Sequence, residues 1–136
     1  MKKYSFDGNS FTTVDGFFKM FGEMVNGVGG YFGKDLQSFD DCLFGGYGLP
    51  NECEIVWKNS NQSKVVLSHK AYADWCHQQI EKKNYLDDEG LSYLESEESK
   101  AVNKELGKTL FDAIVDQIQT VNKRSLGKSN INLILD

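Results

Sequence analysis

Three short runs with strand character stand far apart in the chain: KKYSFD at 2–7, ECEIVW at 52–57 and INLILD at 131–136. Helical patterns fill the gaps between them. Strands separated in this way predict an α/β fold with a small three-stranded parallel sheet flanked by helices, joined by right-handed crossovers. In the first run Tyr4 and Phe6 alternate with polar residues, and Asp7-Gly8 marks a turn. The last run is almost wholly apolar, as expected of a parallel strand covered on both faces. A chain of 136 residues suits a single domain over 1–136 that buries roughly two-thirds of its unfolded surface. It needs no staple of disulfides or metal.

Two helices are predicted between the first two runs. Thr12 stands three residues before Asp15, the spacing of a capping box with aspartate in the usual glutamate position. Phe17, Phe21 and Met24 recur at helical spacing, with Phe18 and Val25 widening the stripe, until Asn26-Gly27 and Gly29-Gly30 end it. The second helix covers about 35–44. Asp35 is a natural N-cap whose charge is also favourable at a helix start. Leu36, Phe39 and Leu43 share one face, so Gln37, Asp40, Asp41 and Phe44 turn toward solvent or a partner. Gly45-Gly46 supply the permissive backbone of a stop.

Most of the stretch between the second and third runs reads as helix. Tyr72, Trp75, Cys76 and Ile80 form one stripe; Leu106, Leu110, Ile114, Ile118 and Val121 form another, interrupted at Gly107. Between them, Asp87 to Glu98 holds six acids and no base. A solvated loop or frayed helix end is the plain reading, and an acidic docking patch the sharper one.

A net charge of −5 disfavours direct nucleic-acid binding, because such a chain repels phosphate backbones. Lys100, Lys104, Lys108, Lys123, Arg124 and Lys128 come nearest to a basic patch, but Glu105, Asp112 and Asp116 interrupt them. Cys42, Cys53 and Cys76 are odd in number and match no zinc or redox spacing, so reduced thiols in a cytosol are expected. The start MKKYSFDGNSF lacks the apolar run of a signal peptide, and no stretch approaches the roughly 18 apolar residues of a membrane span. The expectation is a soluble, cytoplasmic protein that does not bind membranes.

Catalytic and cofactor readings fare poorly. VGGYFGKD has the look of a phosphate loop, but Asp35 stands where a serine or threonine should hold the metal, and no strand precedes it. Asp40 and Asp41 are adjacent on a helix and point about 100° apart, so they do not converge on one ion. They mark either a solvated face or a charged recognition face. His69 and His77 are about two turns apart, too far for joint ligation, and read as surface or partly buried structural residues. No metal and no cofactor is expected. Tyr31, Phe32, Phe44 and Tyr47 bracket the acidic helix; some must pack in the core or its rim, and exposed aromatics around a charge also make up interface hot spots.

These residues carry a family resemblance. Tyr31-Phe32-Gly33, Asp35-Leu36, Asp41-Cys42-Leu43, Gly45, Pro50, Trp57 and Gln62-Ser63-Lys64 follow one another in the order and spacing of the barstar family. Met1-Lys2-Lys3 and the final strand at 131–135 fit as well, so the resemblance covers residues 1–64 and 105–136. It implies a protein that plugs the active site of a basic secreted ribonuclease, or of a ribonuclease toxin domain to which it gives immunity. It also implies no enzymatic activity. Asp41 stands where the family's phosphate-mimicking aspartate stands. By the same resemblance the partner-binding residues are Tyr31, Phe32, Gly33, Asp35, Gln37, Asp40, Asp41, Phe44, Gly45 and Tyr47. The chain departs from the family at Gln37 for a second aspartate, at Asp40 for a tryptophan, at Phe44 for a threonine and at Gly46 for a tryptophan. The family's glutamate on the last helix has no match, and 70–104 reads as a helical, acidic insertion. The other readings are a small enzyme using Asp40, Asp41 or His77, and an interaction module with a partner that is not a nuclease.

Overall fold

The computed structural model describes residues 1–82, 86–103 and 107–136. In chain order its elements are β1 (Lys2–Asp7), α1 (Val14–Asn26), α2 (Leu36–Leu43), β2 (Glu52–Lys58), α3 (Ser60–Val66), α4 (His69–Glu81), α5 (Asp88–Val102), α6 (Leu110–Arg124) and β3 (Asn130–Leu135). The three strands form one parallel sheet in the order β1-β2-β3. The fold is therefore α/β with a three-stranded parallel sheet, as the spacing predicts.

One face of the sheet carries the core. Tyr4, Phe6, Cys53, Ile55, Trp57 and Ile131 are buried there. Register sets Lys3, Glu54 and Asn132 in one row of the other face, and Ser5, Val56 and Ile134 in the next. That face is exposed or half-buried throughout, so the helices pack on one side only. β3 is consequently not covered on both faces, contrary to its sequence reading. It is an edge strand, with Ile134 39% and Leu135 41% exposed; its apolar composition exceeds its burial.

A chain of aromatic rings ties helices to sheet. Phe17 stacks on Trp57 at 5.5 Å and Trp57 meets Phe111 of α6 at 4.9 Å. Trp57 is fully buried, and its Nε1–H donates to Ser63 Oγ at 2.9 Å, which in turn donates to Gly8 O. A Cβ on Gly8 would strike Asn59 O and Ser63 Oγ. This network explains why Gly8, Trp57 and Ser63 occur together. Ser63 lies on α3, a helix that no apolar periodicity announces.

Two further expectations change. Thr13, not Thr12, caps α1, its Oγ1 accepting from Gly16 N at 2.9 Å. The stretch 87–98 is neither loop nor frayed end. It lies within α5, capped by Asp87, with Leu94, Glu97 and Ala101 buried. α5 packs against α4, and the long stripe of α6 begins at Leu110. Leu106, like Lys104 and Glu105, lies outside the described residues.

Candidate partner-binding site

α2 is set by a reciprocal cap that the sequence reading half saw. Asp35 Oδ1 accepts from Ser38 N at 2.9 Å and from Ser38 Oγ at 2.7 Å, while Ser38 Oγ accepts from the Asp35 and Lys34 amides. Two orphan donors at the helix start are satisfied by each other's side chains. Leu36, Phe39, Cys42 and Leu43 face inward. Phe39 meets Phe21 at 4.9 Å and Phe32 at 5.5 Å.

The predicted contact residues separate by depth. Tyr31, Gln37, Asp41, Phe44 and Tyr47 are exposed; Asp35, Asp40 and Gly45 are half-buried. Phe32 and Gly33 are buried. Phe32 is wholly enclosed by Phe21 and Phe39. Gly33 has φ +90°, and a Cβ there would stand 2.5 Å from Phe39 N. Only glycine takes that backbone at that separation without strain.

Two loops present the tyrosines, and one residue joins the loops. Asn26 Nδ2 donates to Tyr31 O at 2.9 Å and to Tyr47 O at 2.8 Å, and the two rings lie 6.3 Å apart. Read from sequence, Asn26 is a helix stop; its bridging role depends on Tyr47, 21 positions away. Tyr31, Phe44 and Tyr47 are 49%, 46% and 47% exposed. Three half-open aromatics at one helix fit the composition of an interface centre.

The acids of α2 have different fates. Asp40 was expected to face solvent or a partner, but Arg124 of α6 holds it in a bidentate pair at 2.8 and 2.7 Å. Arg124 also donates to Gln117 O and Thr120 Oγ1, and its guanidinium lies 5.2 Å from the centre of the Phe44 ring. Gln117 donates to Leu36 O at 3.0 Å, fastening the other end of α2 to α6. Asp41 is exposed, and its carboxylate has no partner among the described residues. Its charge adds to burial in pushing the neighbouring Cys42 thiol up, burial being the larger cause.

Elsewhere several titratable groups are tied into structure. His77 has both ring nitrogens 3.0 Å from carboxylates, Glu81 and Glu98. Glu97 is buried between α4 and α5; it accepts from Tyr72 and Tyr93 hydroxyls and meets Lys108 at 3.4 Å and Lys100 at 3.8 Å. Burial alone would push its carboxyl up, but the Tyr72 hydrogen bond, Lys108 and Tyr93 outweigh it and hold it below 4.5. Burial pushes the Cys53 and Cys76 thiols up to about 11. Of the nearest approach to a basic patch, Lys100, Lys108 and Arg124 are engaged with acids. No group of three metal-ligating side chains comes together among the described residues. No helix among them is long and apolar enough to cross a membrane.

The family model for Barstar (barnase inhibitor) matches residues 1–93. The chain belongs to the barstar family. The match runs through β1, α1, α2, β2, α3 and α4 into α5, beyond residue 64, where the first block of motif resemblance stops. Neither the curated proteins nor the solved structures gave a match. Within this barstar-family chain, Arg124 touches both Asp40 and Phe44.

Proposed function

We propose that this chain inhibits a basic ribonuclease by covering its active site with α2 and the loops around Tyr31 and Tyr47. One observation carries the reading most: Asp41 is the exposed α2 carboxylate with no counter-charge among the described residues, and three half-exposed aromatics lie on the same helix and loops. A nuclease active site gathers cations to hold a phosphate. A carboxylate on a rigid helix can take the place of that phosphate, with aromatic rings excluding water around it. Family membership supports the same reading.

The inhibitor performs no chemistry of its own. The target is a secreted ribonuclease or a ribonuclease toxin domain, and the chain protects the cell that makes the toxin. It acts in the cytoplasm, where its buried thiols stay reduced. The chain works as one domain, with α5 as an elaboration docked on α4.

The test is inhibition of RNA cleavage by a panel of basic microbial ribonucleases, beginning with barnase. Stoichiometric inhibition of at least one enzyme by the wild-type chain, weakened in Asp41→Ala, is expected. Inhibition that is indifferent to Asp41 would refute this docking mode.

A further inference from the structure

The outer face of α2 carries two adjacent carboxylates, yet only one is left to a partner. Asp40 gives both its oxygens to Arg124, at 2.8 and 2.7 Å. The guanidinium is held from two further directions by Thr120 Oγ1 at 2.9 Å and Gln117 O at 2.8 Å. A planar fork fixed by that many acceptors has little freedom. Its central carbon lies over the ring of Phe44, one of the exposed aromatics. A single α6 side chain thus neutralises one α2 acid, supports one α2 aromatic and bridges 84 positions of sequence.

We propose that Arg124 is a specificity-determining positioning residue: it cancels Asp40 and braces Phe44, so that Asp41 alone presents charge from α2 to the partner. The inference rests on the inhibitor reading and adds to it the charge balance of the docking face. Arg124 is the counter-charge of the pair, with its side chain 35% exposed against 26% for Asp40. Removing it would uncover a second carboxylate beside Asp41 and release the Phe44 ring. A cationic target would then be drawn in faster and held less well, since long-range charge sets association and local packing sets dissociation.

Association and dissociation rates, measured at low salt for a ribonuclease that the wild-type chain inhibits, separate the two effects. Arg124→Gln should raise the association rate several-fold and also raise the dissociation rate. Asp40→Asn, which leaves the guanidinium uncompensated, should lower the association rate and raise the dissociation rate. The double variant should return association to near the wild-type value while dissociation stays fast. A purely structural brace would give no opposite signs in association, so association rates that are equal in all four proteins, or slowed in both single variants, would overturn the proposal. If Asp41→Ala still weakens inhibition in that case, the inhibitor reading survives without this refinement. A measurement without partner covers the case in which no ribonuclease is inhibited. The Arg124 Nη groups, which donate to Asp40, should give resolved, slowly exchanging nitrogen-15 NMR resonances in the free wild-type protein that are lost in Asp40→Asn. A resonance already at the free-arginine position in the wild type would overturn the brace itself.

Discussion

Asn26 contributes no charge and no ring to the proposed docking surface, yet Tyr31 and Tyr47 both depend on it. Its amide bridges the Tyr31 and Tyr47 carbonyls. Asn26→Ala should leave α1 intact, since the residue ends the helix, but cost about 0.5–1.5 kcal/mol for each hydrogen bond lost. The loss should fall mainly on binding, as a faster dissociation seen by surface plasmon resonance, with a small change in thermal midpoint. Phe32→Ala should behave in the opposite way. It removes a ring enclosed by Phe21 and Phe39 and should destabilise the fold by about 3–5 kcal/mol in a denaturant titration. The depth of these residues was only partly legible in the sequence. Periodicity places Leu36, Phe39 and Leu43 inward because they share one helix face. It is silent about Phe32, which lies in a loop, and about Asn26, whose partner is remote.

At the scale of elements, α5 was the least legible part of the chain. Its inward side is defined by Leu94, Glu97 and Ala101, and a buried acid in that stripe reads as one more solvated charge. Its partners, Tyr72 and Lys108, lie on the preceding helix and beyond the end of α5. β3 failed for the converse reason: its composition suits a covered strand, but nothing in sequence order says that it lies at an edge. α2 was legible because its cap and stripe are local. The buried acid gives α5 a pH signature. The Glu97 carboxyl is held below 4.5 in the fold, so its contribution is fully present above that pH and is lost as pH falls through the lowered value. Glu97→Gln should therefore be less stable than wild type by about 1–3 kcal/mol near neutrality, with the gap closing in acid below 4.5. Thermal midpoints recorded for both proteins between pH 3 and 7 check this. A gap that widens toward acid would contradict the assignment of Glu97 as an ionised, paired group.

Across the whole molecule, the densest run of acids and the proposed docking helix are in different elements. The six acids at 87–98 outnumber the net charge of −5, and they lie at the start and middle of α5, which packs on α4. On α2 the Asp40 charge is cancelled and Asp41 remains. Steering of a basic enzyme should then come largely from α5, while holding it should depend on α2. Association should slow as salt rises and the screening length shortens to about 8 Å at physiological ionic strength. Replacing the exposed Asp88, Glu89 and Glu95 by serine should slow association at low salt, leaving dissociation and cooperative unfolding unchanged in stopped-flow and thermal measurements. A faster dissociation would mean that α5 touches the partner directly. The account turns finally on Asp41, and calorimetric titration of a ribonuclease with wild type, Asp41→Ala and Asp40→Ala tests it most directly. Truncating one side of a buried charged contact leaves the other uncompensated, so Asp41→Ala should lose about 2–5 kcal/mol of binding, the range typical of such truncations. Asp40→Ala should lose less, and both variants should unfold close to the wild-type temperature; small and equal losses in the two would contradict the assignment of α2 as the helix that enters the enzyme.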